Sequence, residues 1–338
     1  MAQLRVGVIG TGHFGRYHAL KVAGAERARL TGVYDIDSAR AAQVAQEVGT
    51  AALSLPELLG GADAVVIAAP ADVHFPTAMQ ALEAGLHVLV EKPIAANLEE
   101  ADRLAAIASA RGCVLQVGHL ERFSAAHGAV SARMGRPLYI EAVRVAPFKV
   151  RGTDVSVVLD LMIHDLDLIL ALVDQPIESV DAVGAPVASQ YDDIANARVR
   201  FADGCVATIT ASRISLKTER KMRIFSEAGY LNVDFSERKL SLVGRGRGVA
   251  LPGIGDFGME QASWEDHDAL AAEHAAFYAS CLDHAPVLVD AAAGRRALAA
   301  ATAVAESIKA SRNRAEASGL IGKSMCSMSE NVVPAPIR

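Results

Sequence analysis

Short apolar runs alternate with alanine-rich stretches over the first 120 residues of the chain. The runs are rich in valine and isoleucine and have the length of buried parallel strands, and the stretches between them carry apolar residues at helical spacing. Repeated strand–helix units of this length predict a parallel, doubly wound sheet. The predicted strands are Leu4–Ile9, Leu30–Tyr34, Ala64–Ala69, His87–Val90 and Val114–Val117, and the predicted helices are Phe14–Ala23, Ser38–Val48, Phe75–Ala84 and Leu98–Ala110.

Residues with known roles at helix ends support these helices. Gly85 and Gly112 stand where a helix-ending glycine is expected. Ser38 and Asn97 stand where an N-cap is expected.

The pattern changes after residue 121, where several strand-like segments follow one another. Turn residues such as Ala202-Asp203-Gly204 separate these segments and favour antiparallel pairing. We expect a doubly wound domain over residues 1–120, an α+β domain over residues 121–315 and a flexible tail over residues 316–338. The predicted helices are Glu121–Met134, Val157–Val173, His267–Leu282 and Asp290–Arg312, the predicted strands are Leu138–Val145, Ser179–Val187, Ile194–Phe201, Val206–Ser212, Met222–Phe225, Tyr230–Phe235 and Lys239–Val243, and the predicted loop is Arg245–Gly258.

Composition narrows the classes of function. The chain has 338 residues, 51% of them apolar, and its net charge of −6 with no long basic run argues against nucleic acid or an anionic membrane as the main partner. The four cysteines are scattered without metal-ligand spacing, which favours a reduced, cytoplasmic setting. The start of the chain has no signal-peptide pattern. The most apolar stretch, Val155–Val173, contains several ionisable residues, so no membrane span is expected.

A glycine-rich turn follows the first predicted strand. Its sequence is Gly10-Thr11-Gly12-His13-Phe14-Gly15, and it opens the first predicted helix. Gly10 permits a tight turn, Gly12 lets the backbone approach a pyrophosphate, and Gly15 lets helix and strand pack closely. The N–H groups at the helix start can bind the phosphates. A strand, this turn and a helix predict a Rossmann domain that binds a dinucleotide, although a purely structural glycine turn would have the same pattern.

An acidic residue stands where such a domain binds the ribose. Asp35 ends the second predicted strand, 20 residues after Gly15. A carboxylate there can accept hydrogen bonds from both ribose hydroxyls and would repel a 2′-phosphate, which favours NAD over NADP. Ile36 supplies no positive charge for a 2′-phosphate, whereas Arg40 is able to supply one.

The loop after the strand Ala64–Ala69 should border the nicotinamide half of the cofactor. Pro70 closes this strand, and His74 begins the next helix. The alternative for His74 is a helix-start residue that bonds to the backbone, and the sequence does not choose between the two.

A lysine stands at the end of the next buried strand, in Glu91-Lys92-Pro93. Ligands of open α/β sheets bind at such strand ends, so we expect Glu91 and Lys92 to border the cofactor. Pro93 restricts Lys92 to an extended conformation. A lysine held there can donate a proton or a hydrogen bond to a substrate oxygen. The alternative is a surface lysine in an ordinary turn.

The apolar helix Val157–Val173 carries the third group of candidates. Asp160, His164 and Asp167 have the spacing i, i+4 and i+7 and share one face, whereas Asp165 points elsewhere. Burying three ionisable groups on one stripe is costly unless they face a cleft or pair with one another. Asp160 can orient His164 as a general base. The alternatives are a satisfied ion network in the core and a zinc site, for which no third ligand is evident.

These residues together resemble the glucose–fructose oxidoreductase/inositol dehydrogenase family (Gfo/Idh/MocA) over about residues 3–312. The resemblance rests on Gly10–Gly15, on Pro70 with His74, on Glu91-Lys92-Pro93 and on the helix with Asp160 and His164. It implies a Rossmann domain followed by an α+β domain with an open, mostly antiparallel sheet that commonly forms homodimers or homotetramers. It also implies reversible oxidation of a secondary alcohol on a sugar or cyclitol, with Lys92, Asp160 and His164 as the catalytic residues. We expect no metal in the site.

Two stretches, 117–123 and 154–165, resemble the branch that contains UDP-N-acetylglucosamine 3-dehydrogenases. This resemblance implies a nucleotide-sugar substrate, which His119, Arg122 and Asp167 are candidates to contact; the alternative for His119 and Arg122 is bonding at the domain interface. The chain departs from the wider family at Thr153–Ser156 and at Met162, where glycines are usual. The alternative functions are a dehydrogenase of a free inositol or sugar and a non-catalytic regulator that senses a sugar or a cofactor.

Overall fold

The protein is described by a computed structural model over residues 3–149, 155–265 and 267–321, and its contacts divide it into two units. The first unit comprises Met1–Ser124 and His267–Leu298, and the second comprises Ala125–Asp266 and Ala299–Arg338. Over the described residues, every helix is too short or too polar to cross a membrane.

A five-stranded parallel sheet forms the centre of the first unit, in the strand order β2-β1-β3-β4-β5. This order confirms the predicted Rossmann domain and places a topological switch point between β1 and β3. The strands are β1 (Leu4–Ile9), β2 (Ala28–Tyr34), β3 (Ala64–Ile67), β4 (His87–Glu91) and β5 (Leu115–Gly118), and the helices are α1 (His13–Ala23), α2 (Ser38–Val48), α3 (Leu55–Gly61), α4 (His74–Glu83) and α5 (Leu98–Arg111).

Two local predictions in this unit need correction. The N-cap of α2 is Asp37 and not Ser38, because the Asp37 carboxylate accepts the backbone N–H groups of Ala39 and Arg40. Helix α3 was not predicted; Ser54 and Glu57 form a capping box at its start. The predicted N-cap at Asn97 is confirmed, since its Oδ1 accepts the N–H of Glu100 at 2.9 Å.

A nine-stranded sheet forms the second unit, in the order β13-β14-β12-β11-β10-β6-β9-β8-β7. Every neighbouring pair is antiparallel except β6 and β9, which run parallel, so the expectation of a mostly antiparallel sheet is confirmed. The elements are α6 (Ala125–Ser131), β6 (Pro137–Val145), α7 (Ile163–Val173), β7 (Ile177–Ala185), β8 (Ile194–Phe201), β9 (Val206–Ser212), β10 (Glu219–Ser226), β11 (Gly229–Asp234), β12 (Lys239–Arg245), β13 (Val249–Ala250) and β14 (Phe257–Ser263).

Two predictions in this unit also need correction. The helix predicted over Glu121–Met134 is a 3₁₀ turn, Leu120–Phe123, followed by the shorter α6. The loop predicted over Arg245–Gly258 contains β13 and the first residues of β14, and Gly253 and Gly255 lie in the turn between these two paired strands.

Two helices, α8 (Ala269–Asp283) and α9 (Ala291–Ala317), follow the sheet. Helix α8 belongs to the first unit and not to the domain predicted over residues 121–315, because Phe277 and Tyr278 are buried in the core of the Rossmann sheet. The chain after it also joins this sheet, since the Val117 N–H donates to the Val289 carbonyl oxygen at 2.9 Å. The predicted flexible tail lies mostly outside the described residues.

Candidate active site

The turn between β1 and α1 has the geometry that a pyrophosphate requires. A Cβ at Gly10, whose φ is +87°, would lie 2.7 Å from the backbone of Ala68, and a Cβ at Gly15 would lie 1.8 Å from the Gly10 carbonyl oxygen. Only glycine fits at these two positions. A Cβ at Gly12, in contrast, would meet no atom within 4 Å. The Gly12 backbone therefore faces open space at the start of α1, where a phosphate can accept its hydrogen bonds, and the residues present fit a dinucleotide.

Asp35 stabilises this turn from the end of β2. Its Oδ2 accepts the Thr11 N–H at 2.7 Å and the Thr11 hydroxyl at 2.9 Å, and its Oδ1 accepts the Asp37 N–H at 2.9 Å. The bond to Thr11 was not predicted. Arg40 lies 3.9 Å from Asp35 Oδ2 and donates to Asp37 at 3.0 Å, so its charge is shared between two carboxylates. A 2′-phosphate would compete with both of them for Arg40.

His74 joins two loops at the ends of β3 and β4. Its ring is buried, Nδ1 lies 2.8 Å from the Pro93 carbonyl oxygen, and Nε2 lies 2.8 Å from the Ala69 carbonyl oxygen. Bonding to the backbone, one of the two alternatives, is therefore observed. His74 holds the loop that contains Pro70 against the turn after Lys92, and its contact with the nicotinamide stays a prediction.

Glu91 and Lys92 lie at the end of β4, and Lys92 is half-buried. The Glu91 carboxylate is held from inside the unit, because its Oε1 lies 2.9 Å from His18 Nε2 on α1. Burial raises the pKa of Glu91, but the hydrogen bond from His18 and the charge of Lys92 act in the opposite direction, and the pKa is lowered overall. An ionised carboxylate therefore directly precedes the candidate lysine.

A chain of buried rings continues from Glu91 into the core. His18 Nδ1 lies 2.9 Å from His274 Nε2, and His274 Nδ1 lies 3.0 Å from the Tyr278 hydroxyl. Sequence reasoning missed these residues. A signal was present, because His18 occupies the same buried stripe of α1 as Gly15 and Val22, where a polar side chain needs a partner.

His119 and Arg122 follow β5. Burial lowers the pKa of His119 to about 3, and the charge of Lys92 acts in the same direction. The His119 ring is therefore neutral near pH 7, so it offers no positive charge that would attract a phosphate. Arg122 lies in the 3₁₀ turn Leu120–Phe123. The roles of both residues at the substrate stay predictions.

The second unit carries the other candidates on an interrupted helix. Val158–Met162 is a π-helical turn, and regular α-helix begins only at Ile163. The single regular helix predicted from Val157 is therefore wrong, and the i, i+4 spacing of Asp160 and His164 spans the change in helix type. π-turns of this kind are rare in proteins, and those that do occur are often found at functional sites. Asp160 and His164 are half-buried, whereas Asp167 is buried.

Two arginine–aspartate pairs hold this segment in place. Arg144 on β6 donates to Asp165 at 2.7 and 3.0 Å, which fixes α7 against the sheet. Arg213 donates to Asp193 at 2.7 Å and to the Val155 carbonyl oxygen at 2.8 Å, just before the π-turn. Both pairs are buried.

Asp193 is the most fully hydrogen-bonded of these carboxylates. Its Oδ2 accepts the backbone N–H groups of Val187, Ala188 and Ser189 at 2.6–2.8 Å. Burial raises the pKa of Asp193, but these hydrogen bonds and Arg213 outweigh burial and hold the pKa far below its usual value. The Val157 N–H donates to the neighbouring Asp192 carbonyl oxygen at 2.8 Å, so the π-turn starts from a rigid base.

The candidate catalytic residues belong to different units: Lys92 lies in the first, and Asp160 and His164 lie in the second. Among the residues that the structure describes, the ligand atoms with spacing suitable for a metal are those of His18, Glu91 and Glu273, and not those of Asp160 and His164. The zinc site considered from the sequence therefore gains no support.

Comparisons with known proteins agree over both units. The model of an oxidoreductase family with an NAD-binding Rossmann fold, Gfo/Idh/MocA, matches residues 4–119, and the model of the Gfo/Idh/MocA C-terminal domain matches residues 129–232. UDP-N-acetylglucosamine 3-dehydrogenase of Acidithiobacillus ferrooxidans is 42% identical over 317 residues, 92% of this chain and 99% of the relative. A crystal structure of that name superposes with a TM-score of 0.85 at 41% identity over 92% of this chain and 99% of that one. A scyllo-inositol 2-dehydrogenase (NAD(+)) of Bacillus subtilis is 32% identical over 63% of this chain and 68% of its own.

Proposed function

Because the chain belongs to the Gfo/Idh/MocA family of NAD-binding oxidoreductases, we propose that it oxidises the 3-hydroxyl of a UDP-N-acetyl amino sugar, with UDP-N-acetylglucosamine as the first candidate. The observation that carries this proposal is the 42% identity to UDP-N-acetylglucosamine 3-dehydrogenase, which extends over 92% of this chain and 99% of the relative. The similarity to scyllo-inositol 2-dehydrogenase is lower and covers 63% of this chain, so a free cyclitol is the second candidate.

The reaction removes two electrons and two protons from a secondary alcohol. Bound NAD supplies the hydride acceptor. In our proposal, His164 takes the hydroxyl proton as general base, and Asp160 orients the His164 ring. Lys92 donates a hydrogen bond to the same oxygen and stabilises the negative charge that develops there before the carbonyl forms. The products are a 3-keto sugar, NADH and one proton.

The buried pairs described above support these roles. Arg144–Asp165 and Arg213–Asp193 fix α7 and the start of the π-turn, and a rigid base of this kind keeps a catalytic group in its productive geometry. In the first unit, the His18–Glu91 hydrogen bond and the two backbone contacts of His74 fix the turn on both sides of Lys92. A regulator without catalysis would have no need for Lys92 and His164, and this chain retains both.

The test is the formation of NADH, followed by its absorbance, from NAD and a panel of UDP-sugars and free inositols. We expect turnover of UDP-N-acetylglucosamine and little turnover of any free inositol. Turnover of free inositols alone would reject the substrate that we propose. No turnover of either class would favour the regulator.

We also propose that the large sheet mediates formation of a homodimer or homotetramer. Tyr139, Phe225 and Tyr230 are register partners on one face of β6, β10 and β11, and all three are exposed. Exposed aromatic residues grouped in this way are typical of protein interfaces. Light scattering should give a mass of two or four chains, and the substitution Phe225→Glu should lower it; a monomeric wild-type protein would contradict this assignment.

A further inference from the structure

A buried carboxyl group, Glu273, lies beside Glu91 in the core of the first unit. Glu273 belongs to α8, and its side chain is 0% exposed. Over the described residues, no hydrogen-bond donor reaches either of its carboxyl oxygens. One of these oxygens lies within 4.8 Å of both a Glu91 oxygen and a His18 ring nitrogen. The mechanism proposed above makes no use of this group, and a buried polar group of this kind requires an explanation.

The chemistry of the side chains around Glu91 determines which group donates and which accepts in each hydrogen bond. An ionised carboxylate can only accept, so His18 Nε2 carries the proton that it donates to Glu91 at 2.9 Å. In a neutral ring, His18 Nδ1 then accepts from His274 Nε2 at 2.9 Å, and His274 Nδ1 accepts from the Tyr278 hydroxyl at 3.0 Å. Each N–H or O–H group in this series of hydrogen bonds already has an acceptor, so none of these groups can donate to Glu273.

Two adjacent carboxyl groups, one of them fully buried, cannot both be ionised without a large electrostatic cost. Glu91 has the His18 N–H and the neighbouring charge of Lys92, so Glu91 is the group that stays ionised. Glu273 has neither of these. We propose that Glu273 is held as a neutral carboxylic acid that shares its proton with the Glu91 carboxylate, and that it is thereby a positioning residue for the turn that carries Lys92.

The electrostatics agree with this assignment. Burial and the charge of Glu91 together raise the pKa of Glu273 well above its ordinary value, whereas the pKa of Glu91 is lowered. The titratable and charged groups that act on Glu91 are His18 from α1, His74 from α4 and Lys92 after β4. Burial strongly lowers the pKa of His274, so that ring is neutral. The protonation of Glu273 does not depend on the proposed function. Only its effect on turnover rests on the proposed role of Lys92.

The same three side chains have the spacing of a metal site, and a divalent cation is the competing explanation. A cation would need a lone pair on the His18 nitrogen that faces Glu91, and both carboxyl groups would have to be ionised. The observed contact of 2.9 Å between His18 Nε2 and Glu91 Oε1 is instead the distance of a direct hydrogen bond. A shared proton therefore explains the cluster better than a bound metal ion, and the experiment below distinguishes the two explanations.

The first experiment is infrared difference spectroscopy of the full-length, NAD-bound protein against its Glu273→Gln variant near neutral pH. A protonated carboxyl group has a carbonyl-stretch band that an ionised carboxylate lacks. We expect this band in the wild-type protein, a shift of the band in D₂O and its loss in the variant. If the band is missing from the wild-type protein, Glu273 is ionised opposite a doubly protonated His18, and the proposal is rejected. One equivalent of a divalent metal in the purified protein, lost in the variant, would also reject it.

The second experiment tests the positioning role by turnover. Glu273→Gln keeps an N–H donor towards Glu91, so we expect kcat to stay within the same order of magnitude. Glu273→Leu removes the donor, and we expect kcat to fall by about tenfold to a hundredfold because the turn that carries Lys92 shifts, with an unchanged Kd for NAD. Ser280→Ala, a buried polar change on the same helix, is the control and should behave as wild type. Equal kcat values for wild type and a folded Glu273→Leu variant would reject the positioning role.

Discussion

In the second unit, the buried carboxylates Asp165 and Asp193 are each paired with an arginine. In the first unit, the half-buried Glu91 pairs with a histidine, and the buried Glu273 lies near both of them. The first arrangement satisfies its charges completely. Asp193 alone accepts three backbone N–H groups in addition to Arg213. The second arrangement leaves the oxygens of Glu273 without a hydrogen-bond donor among the described residues.

The difference separates two uses of buried charge. Saturated ion pairs fix the backbone around the π-turn, and the pKa of Asp193 in one of them is held far below its usual value. The cluster of imidazoles and carboxyl groups next to the strand-end lysine contains groups with shifted pKa values, and such groups are concentrated at functional sites. We therefore expect substitutions in the first unit at Lys92 to affect chemistry, and substitutions at Asp193 to affect stability.

The largest expected effect is at Lys92. Lys92→Ala should lower kcat about a thousandfold, because it removes the donor to the reacting oxygen, and the Kd for NAD, measured by fluorescence, should hardly change. Lys21→Ala is the matched control, since Lys21 forms an exposed ion pair with Asp268 on the same unit. Similar kcat values for both variants would remove Lys92 from the reaction.

The next effect tests the second unit by the same measurement. His164→Ala should lower kcat about a hundredfold or more, because the hydroxyl proton loses its acceptor. The melting temperature should stay close to that of the wild type, since Asp165 and Arg144 still hold α7. A loss of stability with unchanged kcat would mean that His164 belongs to a structural ion network, the alternative considered from the sequence.

A smaller effect, on stability alone, is expected at Asp193. Asp193→Ala should lower the free energy of unfolding near pH 7 by about 3 kcal/mol, because Arg213 is left buried without its partner. The folded-state pKa of Asp193 is depressed, so its contribution is complete above the unfolded value of about 3.9. The contribution is lost as the pH falls from there towards the folded value.

Urea unfolding of both proteins near pH 7 and near pH 3 measures this difference. We expect the gap between wild type and Asp193→Ala to shrink at the lower pH. The exposed pair Arg5–Asp63 provides the control, because Asp63→Asn should change stability by less than about 1 kcal/mol. Equal effects of the two substitutions would contradict the distinction between buried and exposed pairs.

The smallest expected effect concerns cofactor choice at Asp35. Asp35→Ser removes the negative charge that opposes a 2′-phosphate and frees Arg40 from one carboxylate. The ratio of kcat/KM for NADP to that for NAD should rise about tenfold, or about 1.4 kcal/mol. Since Asp35 also holds Thr11, the KM for NAD should rise as well. An unchanged ratio would show that the preference originates elsewhere.

Periodicity and local motifs were sufficient for much of the fold. The run Leu4–Ile9 and the turn Gly10–Gly15 identify their elements because a buried strand and a tight turn each restrict residue type strongly. The strand β14 was missed because the glycine-rich segment before it resembles a loop, although main-chain pairing with β12 needs no particular side chain. The π-turn at Val158–Met162 was missed because it changes hydrogen bonding without a change in apolar pattern.

The sequence predicted only those residues of the site that belong to a local motif. Lys92 and His164 follow from their positions at a strand end and on an apolar helix. Glu273, by contrast, lies 182 residues after Glu91 along the chain, and its role depends on α8 packing into the first unit. Pairing over such a distance is a property of the tertiary fold and leaves no local pattern.

The central claim, removal of hydride from carbon 3 of a UDP-amino sugar, has a direct isotopic test. UDP-N-acetylglucosamine carrying deuterium at carbon 3 is incubated with the protein and NAD, and the reduced cofactor is examined by mass spectrometry. We predict that the deuterium appears in the reduced nicotinamide, and that substrate labelled at carbon 4 transfers none. Transfer from carbon 4, or reduced cofactor without deuterium from the carbon 3 label, would contradict the proposed reaction.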